Sequence, residues 1–267
     1  MTGPRSLARH RPRGIPEGYE TRASAFARAV AFQGVGDWID AVLASGETLH
    51  GWAARHDQRA EFAGRGTVYS VAAPVSGPDG RERWAVRHFQ RGGAMAMHME
   101  DRYLRVGRLR PWRELVASVT ARARGVRTPA VVCGAAYPVG AYYRADLITE
   151  VVPDARTLAE TLFDCDGTRG WLVAMSRAGG LIRQLADAGV FHVDLNARNI
   201  LLTDGPSAES FVVDLDRARV LKGPSPGARE RMQARLIRSI VKIGTPTGEQ
   251  LKDSEIEAAL NRRMERD

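Results

Sequence analysis

Six polar residues stand around two short apolar runs late in the chain. His192, Asp194, Asn196 and Asn199 precede Ile200-Leu201-Leu202, and Asp214 and Asp216 follow Phe211-Val212-Val213. Short branched apolar runs of this kind read as buried strands. Polar groups set beside buried strands cost free energy unless they are paired or hold something. Two carboxylates and an amide at this spacing suit phosphoryl transfer. One carboxylate orients an acceptor hydroxyl and takes its proton, while an amide oxygen and a second carboxylate hold Mg²⁺ against nucleotide phosphates.

The kinase catalytic loop has His, then Asp two residues on, then Asn five residues after that Asp. His192, Asp194 and Asn199 occupy those positions, and Asp214 follows at the end of the next apolar run, where the metal-binding Asp belongs. A lone His-x-Asp would favour a plain hairpin whose acids cap turns. The full set in its apolar frame is specific, and it assigns Asp194 to catalysis and Asn199, Asp214 and Asp216 to the metal.

Such a site needs elements that bring nucleotide to it. Around Gly64-Arg65-Gly66-Thr67 the pattern predicts two strands and a glycine turn, whose backbone N–H groups can approach phosphates. Taken alone, that glycine pair is an ordinary tight turn. A strand follows at Trp84-Ala85-Val86-Arg87-His88-Phe89. Arg87 stands where the kinase pattern has Lys, and it can grip phosphate bidentately. Pro111 opens a helix that ends near Gly125. Its Glu114 is the candidate partner of Arg87. Strands over 129–133 and 141–152 lead to Glu150, expected at a hinge beside the adenine.

The fold expected is α+β, a protein-kinase-like two-lobed arrangement with a compact C-terminal lobe. Residues 1–22 read as a flexible basic N-terminus. Residues 23–152 read as an N-lobe with a helical extension over 24–55. Residues 153–267 read as a C-lobe with short and long helices over 157–163 and 171–188, the catalytic loop, an amphipathic helix over 228–243 and a charged tail. The pair Gly179-Gly180 argues against one unbroken helix in the second of these.

A formal net charge of +8 over 267 residues favours an anionic partner: nucleic acid, an acidic membrane face or a phosphorylated substrate. Met95, Met97 and Met99, interleaved with Arg102, Arg105, Arg108 and Arg110, either present a basic, partly apolar surface or pack beneath a solvated one. Two distant cysteines, Cys133 and Cys165, point to a reduced setting. No apolar run approaches a membrane span, and no apolar stretch follows the Arg-rich start as a secretory signal would require.

The chain resembles the lipopolysaccharide kinase superfamily, and most closely its 3-deoxy-D-manno-octulosonic acid (Kdo) kinases. The resembling residues are Gly64-Arg65-Gly66-Thr67, Val86-Arg87-His88-Phe89 with Arg91-Gly92-Gly93, Asp101-Arg102-Tyr103, Tyr143-Arg144-Ala145-Asp146-Leu147 with Thr149-Glu150, and His192-Val193-Asp194-Leu195-Asn196 with Asn199-Ile200-Leu201-Leu202. One Arg of the family's Arg-Arg-Gly-Gly piece is replaced by Gln90, and the first 60 residues match nothing in it. The resemblance implies an ATP- and Mg²⁺-dependent kinase, peripheral at the cytoplasmic face of the inner membrane. It would phosphorylate the 4-hydroxyl of Kdo on a lipid A precursor, with no nucleic acid partner. Gly64, Gly66, Thr67, Arg87, Glu114 and Glu150 would serve the nucleotide, and Arg102, Arg108 and Arg198 the acceptor's phosphates or carboxylate. A kinase for heptose or for a small metabolite or protein, or a non-catalytic binding module, are the other readings.

Overall fold

The computed structural model describes residues 14–57, 59–62, 66–90, 101–164, 167–205, 208–225, 227–244 and 252–262. The fold is α+β, and the chain divides into two compact units, Met1–Trp112 with Val131–Thr149 and Arg113–Ala130 with Glu150–Asp267.

The first unit is built on a sheet. Its strands are β1 (Tyr19–Ala23), β2 (Arg28–Phe32), β3 (Ala60–Phe62), β4 (Val68–Ala72), β5 (Arg83–His88), β6 (Tyr103–Leu104), β7 (Val131–Val139) and β8 (Tyr142–Glu150). They run in the order β1-β2-β7-β8-β5-β4-β3, with β6 added on β8. Helices α1 (Gly36–Ala44) and α2 (Leu49–Ala54) belong to the same unit. Trp84 and Val86 of β5, Ile39 of α1 and Leu49 of α2 are buried together with Val132 and Ile148. Trp38 meets Trp52 and Trp84 edge-on at 4.8 and 5.0 Å. The Thr48 side chain caps α2 by accepting from Gly51 N–H at 3.0 Å.

The sequence placed a helix over 24–55 and a tail before it. Helix in fact begins only at Gly36, and β1 and β2 form an antiparallel hairpin ahead of it. Tertiary pairing decides this. Ala29, Val30 and Ala31 are buried, and β2 registers on β7 from Arg28↔Ala136 to Ala31↔Cys133. The strands expected to flank the two glycines pair as the β3–β4 hairpin, registered Phe62↔Val68; residues 63–65 between them lie outside the described residues.

The second unit is mainly helical. It takes α3 (Arg110–Ala123) from Arg113 onward, α4 (Leu158–Asp164), α5 (Gly167–Asp187), α6 (Ala228–Ile243) and α7 (Asp253–Asn261). Short strands β9 (Arg156–Thr157), β11 (Ile200–Leu202) and β12 (Ser210–Val212) form one sheet, and β10 (Val190–Phe191) pairs with β13 (Arg219–Val220). Thr157 and Glu160 cap α4 reciprocally, Glu160 Oε2 accepting from Thr157 N–H at 2.8 Å and Thr157 Oγ1 from Glu160 N–H at 3.1 Å. Met175, Ile182 and Leu185 of α5 pack with Leu195, Ile200, Val212, Leu236, Ile256 and Leu260. The stretch read as a charged tail therefore contains α7, with Ile256, Ala259 and Leu260 buried. The amphipathic helix over 228–243 forms at those bounds.

Helix α5 runs unbroken through Gly179-Gly180. The glycine there serves a close helix approach. A Cβ on Gly179 would overlap the Leu260 backbone, falling on its carbonyl oxygen and only 2.7 Å from its carbonyl carbon. Gly179→Ala must push α7 off α5, because backbone cannot rotate aside as a side chain can. The expected loss is on the order of 3 kcal/mol, read as a lowered midpoint in urea denaturation. An unchanged midpoint would show that α7 is not held at this distance.

Candidate active site

The second unit holds the loop 192–199. Gly189, with φ +67°, ends α5 and turns the chain toward it. The loop is fixed from three sides. Ala159 N–H of α4 donates to Ala197 O at 3.0 Å. Ala197 N–H donates to Ser239 Oγ of α6 at 3.1 Å. His192 lies 3.1 Å from Val213 O through Nε2. A carbonyl only accepts, so Nε2 carries the proton and Nδ1 does not. Among the described residues that buried Nδ1 has no hydrogen-bond partner. His192 is thus a positioning residue that ties the loop to the end of β12.

Asp194 is half-exposed, and its carboxylate meets two cations: Arg217 Nη1 at 2.5 Å and Arg235 Nη1 at 3.8 Å. Its backbone carbonyl accepts from Asn196 Nδ2 at 3.0 Å and Asn199 Nδ2 at 3.4 Å. Asn196 Oδ1 in turn accepts from Arg198 N–H at 2.9 Å. The two asparagines therefore shape the loop and aim the carboxylate outward. With its nitrogen turned to Asp194 O, Asn199 keeps its amide oxygen as the group that can face a cation.

The β11–β12 hairpin sets Asn199 beside Asp214. Ile200 registers on Val212, and Val213 N–H donates to Asn199 O at 3.0 Å. Asp214 then takes the left-handed conformation, φ 65° and ψ 56°, which Asp tolerates better than most residues. Asp216 lies in the next turn and is buried. Among the described residues no three His, Cys, Asp or Glu side chains gather as a metal cluster. Two carboxylates and one amide oxygen nonetheless suit a hard cation that keeps much of its water.

In the first unit, Gly64 lies outside the described residues. Gly66 and Thr67 lie in the β3–β4 loop, and Thr67 O is 3.0 Å from His50 Nε2. Arg87 is on β5 opposite Val68, with its guanidinium 4.5 Å from the Phe89 ring centroid. Arg102 and Arg108 are exposed. In the second unit Glu114 is buried on α3, Glu150 is buried at the end of β8, and Arg198 is exposed.

A buried network in the first unit went unread in the sequence. Asp146 of β8 is fully buried. Its Oδ2 accepts from Tyr137 OH and His50 N–H, both at 2.9 Å. Its Oδ1 meets His88 Nδ1 at 2.6 Å. His88 Nε2 lies 3.4 Å from Asp101 Oδ2, which also pairs with Arg144 Nε at 2.7 Å. Through His50 the network reaches Thr67, and through His88 the neighbour of Arg87. It holds Thr67 and strand β5 beside Arg87 to one anchor.

The two histidines titrate in opposite directions. Burial works against the charged form of His88, but the Asp146 and Asp101 carboxylates outweigh it and raise its pKa above 6.5. Burial lowers the pKa of His192 below 6.5, against the Val213 carbonyl and the nearby carboxylates of Asp214, Asp194 and Asp216. The unfolded side chains titrate near 6.5. The His88 contribution to stability is complete below that pH and is lost as pH rises through its raised folded value. The His192 contribution is present above it and is lost as pH falls toward its depressed value. Imidazole NMR should show His88 still protonated above pH 6.5 and His192 still neutral below it; the reverse order would contradict both environments.

The description "Lipopolysaccharide kinase (Kdo/WaaP) family" matches residues 50–256, well over half of the chain. The chain belongs to this family. A 3-deoxy-D-manno-octulosonic acid kinase of Xanthomonas oryzae pv. oryzae (strain PXO99A) is 35% identical over 198 residues, 72% of this chain and 74% of that one. One from Xylella fastidiosa (strain M12) is 33% identical over 184 residues, 67% and 68% of the two chains. A solved structure described as "WaaP in complex with acyl carrier protein" aligns over 83% of this chain and 86% of its own, with 19% identity and a TM-score of 0.49. As a family member the chain is a phosphotransferase with a hydroxyl acceptor.

Of the residues singled out in the sequence, the second unit brings Asp194, Asn199 and Asp214 onto one loop and one hairpin end. Arg217 and Arg235, which meet Asp194, were not foreseen. His88 and Asp146 stand in two of the stretches that carry the family resemblance. Their signal was present: a charged Asp midway along the otherwise apolar run Ala145-Asp146-Leu147-Ile148 requires buried partners.

Proposed function

We propose that the chain transfers the γ-phosphoryl group of ATP to the 4-hydroxyl of a Kdo residue on a lipid A precursor. It would work peripherally at the cytoplasmic face of the inner membrane. The observation that carries this reading is the outward-facing Asp194 carboxylate beside the Asn199–Asp214 pair, in a chain akin to Kdo kinases. Among the described residues no helix is long and apolar enough to cross a membrane.

Mg²⁺–ATP supplies the phosphoryl group and the cation that offsets its charge. Asp194 orients the acceptor hydroxyl and accepts its proton as the new P–O bond forms. Asn199, Asp214 and Asp216 would hold the metal. Gly64, Gly66 and Thr67 would cover the phosphates, Arg87 would grip them, and Glu114 and Glu150 would also serve the nucleotide. Arg102, Arg108 and Arg198 would take the acceptor's anionic groups.

The test is acceptor choice. Radiolabel from γ-labelled ATP should pass to Kdo-lipid IVA in preference to a heptose-bearing core acceptor. Label on the heptose alone would move the reading to that sugar.

A further inference from the structure

Beside Asp194 the second unit carries a groove of about 680 Å³. Its lining includes Phe191 and Val193, Arg219 of β13, and Arg231, Arg235 and Arg238 of α6. The three helix arginines recur at i, i+4 and i+7, so they stand in a row on one face. Phe191 registers directly on Arg219 in the β10–β13 pair, which forms the facing wall. Arg231 reaches across, its guanidinium 5.1 Å from the Phe191 ring centroid.

All four arginines are exposed. Arg235 is 3.8 Å from Asp194. Among the described residues, no carboxylate pairs with Arg219 or Arg238. Four guanidinium groups gathered in one concavity repel each other and raise the local concentration of anions. Guanidinium forks match carboxylate and phosphate oxygens bidentately. The buried backs of α6, Met232, Leu236 and Ile240, keep this face turned outward.

We propose that this groove seats an oxyanion of the sugar acceptor, a carboxylate or a phosphate, and thereby delivers the neighbouring hydroxyl to Asp194. This assignment rests on the kinase reading above and adds Arg219, Arg231, Arg235 and Arg238 to the substrate residues. Arg235 bridges the two functions, since the same side chain touches the groove and the catalytic carboxylate. An anion in the groove gives Arg235 a second partner and loosens its hold on Asp194.

The test uses the full chain and Arg231→Gln/Arg238→Gln, checked for an unchanged unfolding midpoint. The KM for Kdo-lipid IVA should rise about tenfold or more, with the KM for Mg²⁺–ATP unchanged. An unchanged acceptor KM, or a rise confined to Mg²⁺–ATP, overturns the assignment.

Two soluble probes separate the source of the oxyanion and do not depend on turnover. They are the Kdo monosaccharide, a carboxylate, and a glucosamine disaccharide bisphosphate, read by isothermal titration at low and high salt. Salt-sensitive binding of either one by the wild type, lost in the variant, supports the groove and names the oxyanion. If such binding occurs but no acceptor is phosphorylated, the kinase reading falls and the groove stands. If neither probe binds, the groove assignment falls whatever the activity.

Discussion

Asp194→Asn is expected to lower phosphoryl transfer by about 10²- to 10⁴-fold, the usual contribution of a positioned general base. The substitution keeps the side chain's size and removes its capacity to take a proton. Fold should survive. The two ion pairs lost, to Arg217 and Arg235, involve side chains 54% and 43% exposed, and exposed pairs contribute little. The loop's own bonds run through the Asp194 backbone carbonyl, which the substitution leaves in place. Nucleotide affinity should hardly move, because the reading proposed above gives the metal to Asn199, Asp214 and Asp216 and leaves Asp194 to the acceptor. Steady-state rates with circular dichroism and nucleotide titration check this. Activity within tenfold of wild type would remove Asp194 from the role.

Asp146→Ala should cost the first unit about 3–5 kcal/mol, the scale for breaking a buried charge pair by removing one partner. The alanine would leave the Tyr137 hydroxyl, the His50 N–H and the His88 ring without their acceptor inside the protein. Urea denaturation followed by Trp fluorescence suits the measurement, since Trp38, Trp52 and Trp84 pack in this unit. Asp146→Asn should lose less, as its amide oxygen can still accept from Tyr137 or His50. A variant as stable as wild type would show that the network is not an anchor. Where the glycine turn and Arg87 depend on that anchor, the KM for Mg²⁺–ATP should rise in Asp146→Asn.

The loop 192–199 and the hairpin after it were legible because their information is local. His192, Asp194 and Asn199 lie within eight residues, and hairpin pairing supplies Asp214. The α6 helix was legible for the same reason, its apolar period closing at the bounds the structure has. What escaped depends on distant partners. Asp146 meets His50 and His88 across 96 and 58 residues. The hairpin of β1 and β2 exists because β7 offers it an edge a hundred residues on. Gly179 looked like a helix breaker, yet it is the contact surface for Leu260. The sequence marked this helix only as amphipathic; its arginines gain meaning from the position of Arg235 beside Asp194, which sequence spacing does not contain.

The most direct measurement incubates the purified protein with Mg²⁺–ATP and Kdo-lipid IVA and locates any added phosphate by mass spectrometry and NMR. The account predicts one phosphate on the Kdo 4-hydroxyl, absent with Asp194→Asn. A phosphate on another sugar, or none at all from a protein that binds Mg²⁺–ATP, would contradict it.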